Sequence, residues 1–209
     1  MKIAVVAANG KAGQAIVAEA LERGHEVTAI VRGENKTKAD KVLVKDLFDL
    51  TKEDLAGFDV VVTAFGAYTP ETLPQHTTSL EHLAGLLENS STRLLVVGGA
   101  GSLYLDDSLT SQLYQTADFP DIYLPMATAM KAGLDRLREF SDVNWTYISP
   151  AAEFVADGAK TGDYILAGEV FAVNEKGESA ISYADYAIAM LDEIESGSHI
   201  KERISVLGK

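Results

Sequence analysis

Residues Lys2 to Val17 constrain this chain more than any others. An apolar run from Ile3 to Ala8 passes straight into a turn of small residues. A stretch follows in which Ile16, Val17, Ala20 and Leu21 recur on one helical face. The pattern is strand, tight turn, helix. The turn reads Ala7-x-x-Gly10-x-x-Gly13, a variant of the glycine fingerprint that seats a dinucleotide pyrophosphate on a helix N-terminus. Ala7, Asn9, Gly10, Lys11, Ala12 and Gly13 would line that seat. Gly10 would let the backbone approach the phosphates, and Gly13 would let the helix pack close to the strand. Ala7 stands where a glycine is expected, which predicts that residue 7 keeps φ below zero.

The next strand, His25 to Arg32, bears on which dinucleotide is bound. Proteins that bind NAD usually place an acid at this strand tip for the ribose 2′-hydroxyl. Here the tip is Arg32, with Lys36 and Lys38 behind it, and Glu34 comes only after Gly33. A guanidinium suits a 2′-phosphate, because its planar fork meets two oxygens at once. The expectation is NADPH in preference to NADH.

Strands alternate with helices along the rest of the chain, and no internal repeat interrupts them. Lys41–Asp46 reads as a third strand, Asp59–Phe65 as a fourth, Arg93–Gly98 as a fifth and Asn144–Ser149 as a sixth. Thr51-Lys-Glu-Asp54 has the spacing of a capping box. Helices are expected over 71–90 and 126–141. Beyond Pro150 come short strands near 163–173, a helix at about 183–196 behind a Ser182 cap, and a last strand near 199–207. This alternation predicts one doubly wound, mainly parallel sheet over residues 1–209, with a small C-terminal extension on the substrate side from 149 to 209.

Open parallel sheets bind ligands at the carboxyl ends of their strands. Candidate groups there are Asp46 and Leu47 for the adenine, and Ala64, Phe65 and Gly66 beneath the cofactor's path. The fifth strand ends in Gly98-Gly-Ala-Gly-Ser102, where so many glycines suggest close backbone approach to a ligand. The stretch from Leu103 to Leu124 carries Tyr104, Tyr114, Phe119 and Tyr123 with little regular periodicity. It reads as a lid or substrate wall.

Composition closes off other classes. With no cysteine, the chain has no disulfide, thiolate or zinc–sulfur chemistry, and it is compatible with a reducing cytoplasm. The N-terminus lacks a signal-peptide pattern and no apolar run approaches a membrane span. A net charge of −13 disfavours direct binding to nucleic acid or anionic lipid. His25, His76, His82 and His199 are scattered without metal-ligand spacing, so no metal site is expected. There is neither a Gly-x-Ser-x-Gly elbow nor a Walker-type loop.

Taken together, the Ala7–Gly13 turn, Ile30-Val-Arg32, Leu95-Val-Val-Gly-Gly-Ala-Gly-Ser102 and Trp145-Thr-Tyr-Ile-Ser-Pro-Ala-Ala152 resemble one family. It is the atypical short-chain dehydrogenase/reductase superfamily, and within it the small bacterial NAD(P)H-binding proteins described as NADH-flavin-reductase-like and related to NmrA-like proteins. The resemblance covers nearly the whole chain. It implies a single Rossmann-type domain, a reduced nicotinamide cofactor, and a flavin or quinone-like electron acceptor. It also places Ser102 at the superfamily's catalytic Ser/Thr, and Ser149, Pro150 and Ala151 in the loop that orients the carboxamide.

One departure shapes the expected chemistry. Where the superfamily carries Tyr-x-x-x-Lys, this chain has Ala127-Thr-Ala-Met-Lys131, keeping the lysine and losing the phenol. A carbonyl reductase needs that proton donor for its developing alkoxide. A flavin or quinone delocalises the charge and can take its proton from water, so the reaction needs mainly two rings held face to face. Ser102 and Lys131 would then act chiefly by positioning. The expected activity is NADPH-dependent reduction of a flavin or quinone, with FMN or FAD as a diffusible substrate. A non-catalytic cofactor sensor acting through a protein partner is the alternative, and the oligomeric state, a homo-oligomer included, stays open.

Overall fold

The computed structural model describes residues 1–209. In chain order the elements are β1 (Lys2–Val6), α1 (Lys11–Glu22), β2 (Glu26–Val31), β3 (Lys41–Val44), α2 (Lys52–Leu55), β4 (Val60–Thr63), α3 (Gln75–Leu87) and β5 (Arg93–Val97). There follow α4 (Leu124–Leu137), β6 (Asn144–Ser149), β7 (Glu153–Val155), β8 (Ile165–Ala167), β9 (Ala180–Ser182), α5 (Tyr183–Ser196) and β10 (Glu202–Leu207).

Eight strands form one sheet in the order β3-β2-β1-β4-β5-β6-β10-β8. All neighbours are parallel except β10 and β8. The chain winds outward from β1 to β3, returns, and winds the other way from β4. The reversal opens a crevice at the carboxyl ends of β1 and β4, which is where such sheets bind ligands. Successive residues of β1 serve opposite cores: Ile3 and Val5 pack with α1 and α5, Ala4 and Val6 with α2, α3 and α4. Because both faces are covered, β4 is Val60-Val61-Val62-Thr63, buried throughout.

Several expected boundaries move. The helix expected from 71 starts at Gln75, since residues 69–73 close a turn through the Thr69 and Thr72 hydroxyls and Pro74 precedes the first helical residue. The helix expected from 126 starts at Leu124. Of the strand expected near 163–173 only Ile165–Ala167 joins the sheet. Beyond Gly168 the backbone bonds instead to Tyr104, which donates its N–H to Glu169 O at 2.9 Å and accepts from Phe171 N at 2.8 Å. Tertiary pairing outbids the local strand tendency there. The Thr51 capping box and the Ser182 cap both form. No helix is long and apolar enough to cross a membrane.

Candidate functional site

The turn after β1 leaves the start of α1 open. Gly10 caps α1 without any side-chain hydrogen bond, and no acidic residue enters the first turn. Among the first backbone N–H groups, only that of Gln14 finds a backbone acceptor, Gly10 O at 2.8 Å; those of Lys11, Ala12 and Gly13 have none. Three free donors at the positive end of a helix dipole are the natural partners of a pyrophosphate. Gly13 allows this by packing: a Cβ there would stand 2.8 Å from both Ala8 Cα and Ala8 O. A Cβ on Gly10 would meet nothing in the protein closer than Ala7 O at 3.4 Å, so its open side faces the ligand path. Residue 7 departs from expectation. Ala7 has φ +57°, in the left-handed region, where an L side chain is strained. The turn needs that backbone conformation to aim the next N–H groups, and it holds alanine there despite the cost.

Asn9 braces this turn against the loop after β2. Its amide donates to Glu34 O and its carbonyl accepts from Lys36 N, both at 2.8 Å. Arg32, just beyond β2, is exposed and forms no ion pair or hydrogen bond, and Lys36 and Lys38 lie exposed in the same loop. The guanidinium is therefore free for a phosphate. At the tip of β3, Asp46 accepts from Phe48 N at 3.0 Å and caps a short 3₁₀ turn, while Leu47 is buried beneath.

Beyond β4, Ala64 donates to Val6 O at 3.0 Å, and Phe65 and Gly66 follow at the crevice edge. His76 of α3 grips this loop through Nε2, 3.0 Å from Ala67 O, and its ring meets Phe65 edge-on. Burial holds the His76 pKa below its ordinary value, and the hydrogen bond with the Ala67 backbone opposes that shift. At the end of β6, Ser149 is fully buried and its Oγ has no partner in the protein. An orphaned hydroxyl at a strand tip, beside Pro150 and Ala151, fits a ligand that supplies the missing hydrogen bond. Together with the uncapped helix, it makes these residues fit a dinucleotide.

The glycine-rich end of β5 has another explanation than close ligand approach. A Cβ on Gly98 would run into the Tyr147 ring, one on Gly99 would stand 2.8 Å from Met130 Sδ, and one on Gly101 2.6 Å from Ala127 Cβ. The protein's own side chains fill the space that these glycines leave. Tyr147, fully buried, accepts from Gly99 N at 3.3 Å, and burial pushes its phenol up to about 12. Ala127 is itself buried against Gly101, so a tyrosine at 127 would collide with this loop.

The two residues expected at the chemistry are engaged elsewhere. Ser102 is buried, and its Oγ accepts from Arg203 Nη1 of β10 at 2.9 Å. The Lys131 ammonium pairs with Asp135, one turn further along α4 and away from the strand tips. The structure does not bring the pair together. Arg203 also pairs with Glu169, which Arg138 holds from the other side at 2.6 Å. The segment after Ser102 is tied down rather than loose: Gln112 Nε2 donates to Ser102 O at 2.9 Å and Leu113 N to Leu103 O at 2.8 Å. The roles of His76, Tyr147 and Arg203 around the crevice were not read from the sequence, since a lone side chain's partner carries no spacing signal.

Two hollows mark what can bind where. The space between Phe65, His76, Ser79, Met130 and Tyr147 is about 20 Å³, room for one water and not for a cofactor. A hollow of about 640 Å³ lies over Trp145, Arg138 and Arg203, but it opens where β10 begins, at Lys201 and Glu202.

Residues 7–196 match the family model described as NAD(P)H-binding. The chain is 47% identical to the protein YwnB of Bacillus subtilis (strain 168), covering 100% of this chain and 99% of that one. Among solved structures, SP1627 of Streptococcus pneumoniae TIGR4, whose proposed activity is that of an NADH-flavin reductase, is 61% identical with a TM-score of 0.98 over 100% of both chains. A Bacteroides thetaiotaomicron protein with epimerase as its proposed activity is 35% identical, with a TM-score of 0.86 over 99% of this chain and 96% of that one. With its fold, the open N-terminus of α1 and these relatives, the chain belongs to the NAD(P)H-binding family of Rossmann-type α/β proteins.

Proposed function

We propose that the protein is an NADPH-dependent oxidoreductase that passes hydride to a flavin or quinone-like acceptor. The observation that carries this reading is the burial of Ala127 against Gly101, with Ser102 and Lys131 turned to other partners. Ala127 occupies the position from which a phenol protonates an alkoxide in the superfamily the chain resembles. An acceptor that spreads the incoming charge over a conjugated ring does not need one. The activity proposed for SP1627 supports the same acceptor class.

When bound, the reduced nicotinamide supplies the hydride. The chain's residues hold and orient it. The N–H groups of Lys11, Ala12 and Gly13 take the pyrophosphate, and Arg32 takes the 2′-phosphate. Asp46 and Leu47 flank the adenine, Ala64 to Gly66 floor the path, and Ser149 offers its hydroxyl near Pro150 and Ala151. Ser102 and Lys131 act by position, through the loop after β5 and through α4. FMN or FAD enters as a diffusible substrate, and the reduced acceptor takes its proton from water.

Steady-state oxidation of NADPH and NADH with FMN, FAD and menadione tests the reading. NADPH oxidation that depends on one of these acceptors is expected. Tight NADPH binding with no turnover on any of them would replace the enzyme by a cofactor sensor.

A further inference from the structure

Tyr68 is an aromatic residue that the fold leaves uncovered at the crevice, 79% exposed in the connection between β4 and α3. Its ring nevertheless turns back over the strand tip. A Cβ on Gly66 would stand 2.5 Å from the Tyr68 hydroxyl and 2.9 Å from Cζ. On the other side of the sheet, Tyr183 opens α5 and is half-buried. Its ring lies 3.9 Å, centroid to centroid, from Phe154, which lies 4.8 Å from Tyr186. Tyr186 is fully buried and donates its hydroxyl to Ile148 O at 2.7 Å, next to Ser149. The Phe154–Tyr183 pair is therefore fixed to the end of β6. β4 and β6 flank β5 with their carboxyl ends at one edge of the sheet, so the Tyr68 connection and the Phe154–Tyr183 pair border the same crevice. Burial first, and then the Tyr68 phenol, raises the Tyr183 pKa. Neither hydroxyl has a hydrogen-bond partner in the protein.

We propose that Tyr68 on one side and the Phe154–Tyr183 pair on the other form an aromatic slot for a flat, conjugated acceptor at the β6 end of the crevice. Rings favour offset or tilted stacking on other rings, and a tyrosine adds a polar tip for a carbonyl of the acceptor. The exposed wall is Tyr68, and the anchored wall is the pair held through Tyr186. The slot rests on the reading above for the identity of its occupant. It places the substrate wall on the connections after β4 and β6.

Two readouts separate the slot from that reading: steady-state KM for menadione and FMN, and quenching of FMN fluorescence on NADP⁺-loaded protein, which needs no turnover. Tyr68→Ala and Tyr183→Ala should weaken FMN and menadione about tenfold or more, whereas NADPH affinity by calorimetry changes less than about threefold. Tyr68→Phe and Tyr183→Phe, which keep the rings, should stay within about threefold of the parent. Tyr68 is exposed, so its variants keep the fold, as a melting curve will report. Unchanged acceptor affinity in both alanine variants overturns the slot while leaving the oxidoreductase reading in place. A fall in kcat of about a hundredfold in either phenylalanine variant, at unchanged KM, also overturns it by making that phenol a proton donor. If the parent protein reduces no acceptor, the fluorescence titration still decides: FMN quenching lost in the alanine variants supports the slot, and no FMN binding by the parent overturns it.

Discussion

Ala7 shows how a single position is settled by the turn around it. An L-alanine at φ +57° costs about 1–2 kcal/mol, and a glycine would relieve it at some cost in unfolded-chain entropy. Ala7→Gly should therefore raise the urea midpoint slightly and leave NADPH binding intact. Gly10 and Gly13 divide the other roles. Gly10→Ala meets only Ala7 O at 3.4 Å, so the fold should survive it, and a loss of NADPH affinity would report the cofactor itself. Gly13→Ala drives a Cβ to 2.8 Å from backbone, and both melting temperature and binding should fall. If Gly10→Val binds NADPH like the parent, the dinucleotide does not lie over this turn. At Arg32, loss of a charge-assisted contact worth roughly 1.5–3 kcal/mol predicts about a ten- to hundredfold weakening of NADPH in Arg32→Ala, with NADH little changed. Equal losses measured by calorimetry would remove Arg32 from the 2′-phosphate.

Among the elements, the connection between β5 and α4 differs most from what its sequence suggests. It lacks periodicity, yet Ser102, Gln112, Glu169 and Arg203 bind it to the far side of the sheet. Burial lowers the Arg203 pKa, and Glu169 opposes that loss of charge. Arg203→Met keeps much of the volume and removes the hydrogen bonds. It should cost about 1.5–3 kcal/mol in urea unfolding, because hydrogen bonds to charged groups are worth that much. Hydrogen exchange of residues 103–113 should rise in the same variant. Unchanged exchange there would mean that the backbone pairs with residues 169–171 suffice by themselves.

For the molecule as a whole, α1 and α5 are joined by charge across their solvent edge. Arg23 reaches Glu19 at 2.9 Å, Asp192 at 2.7 Å and Glu195 at 2.9 Å, and Lys160 reaches Glu19 at 2.7 Å. Burial pushes the Glu19 carboxyl up, but the hydrogen bonds from Lys160 and Arg23 outweigh it and hold the pKa below the ordinary 4.5. A carboxyl with a lowered folded pKa stabilises the fold above its unfolded value, and that contribution fades as pH falls through the folded value. Stability should therefore drop below about pH 4.5, and the drop should be shallower in Glu19→Gln. Parallel pH dependence in the two proteins would show that Glu19 is not part of the acid sensitivity.

The fold was legible because its signals are local and repeated. Apolar runs in β1, β4 and β5, the Gly13 packing contact, and the Thr51 and Ser182 caps all depend on neighbours within a few residues. Such periodicity prescribes a doubly wound sheet before any tertiary contact forms. The open turn after β1 and the exposed Arg32 beyond β2 were legible as positions for the same reason, each following directly from a strand end. Tertiary structure alone decided the rest. The glycines at 98–101 face Tyr147, Met130 and Ala127 from distant elements, and Ser102 is claimed by Arg203, 101 residues away. Tyr68 and the Phe154–Tyr183 pair share one edge of the sheet only because the strand order brings the ends of β4 and β6 there. A side chain's partner across the sheet is set by strand order and packing, which no short window of sequence encodes.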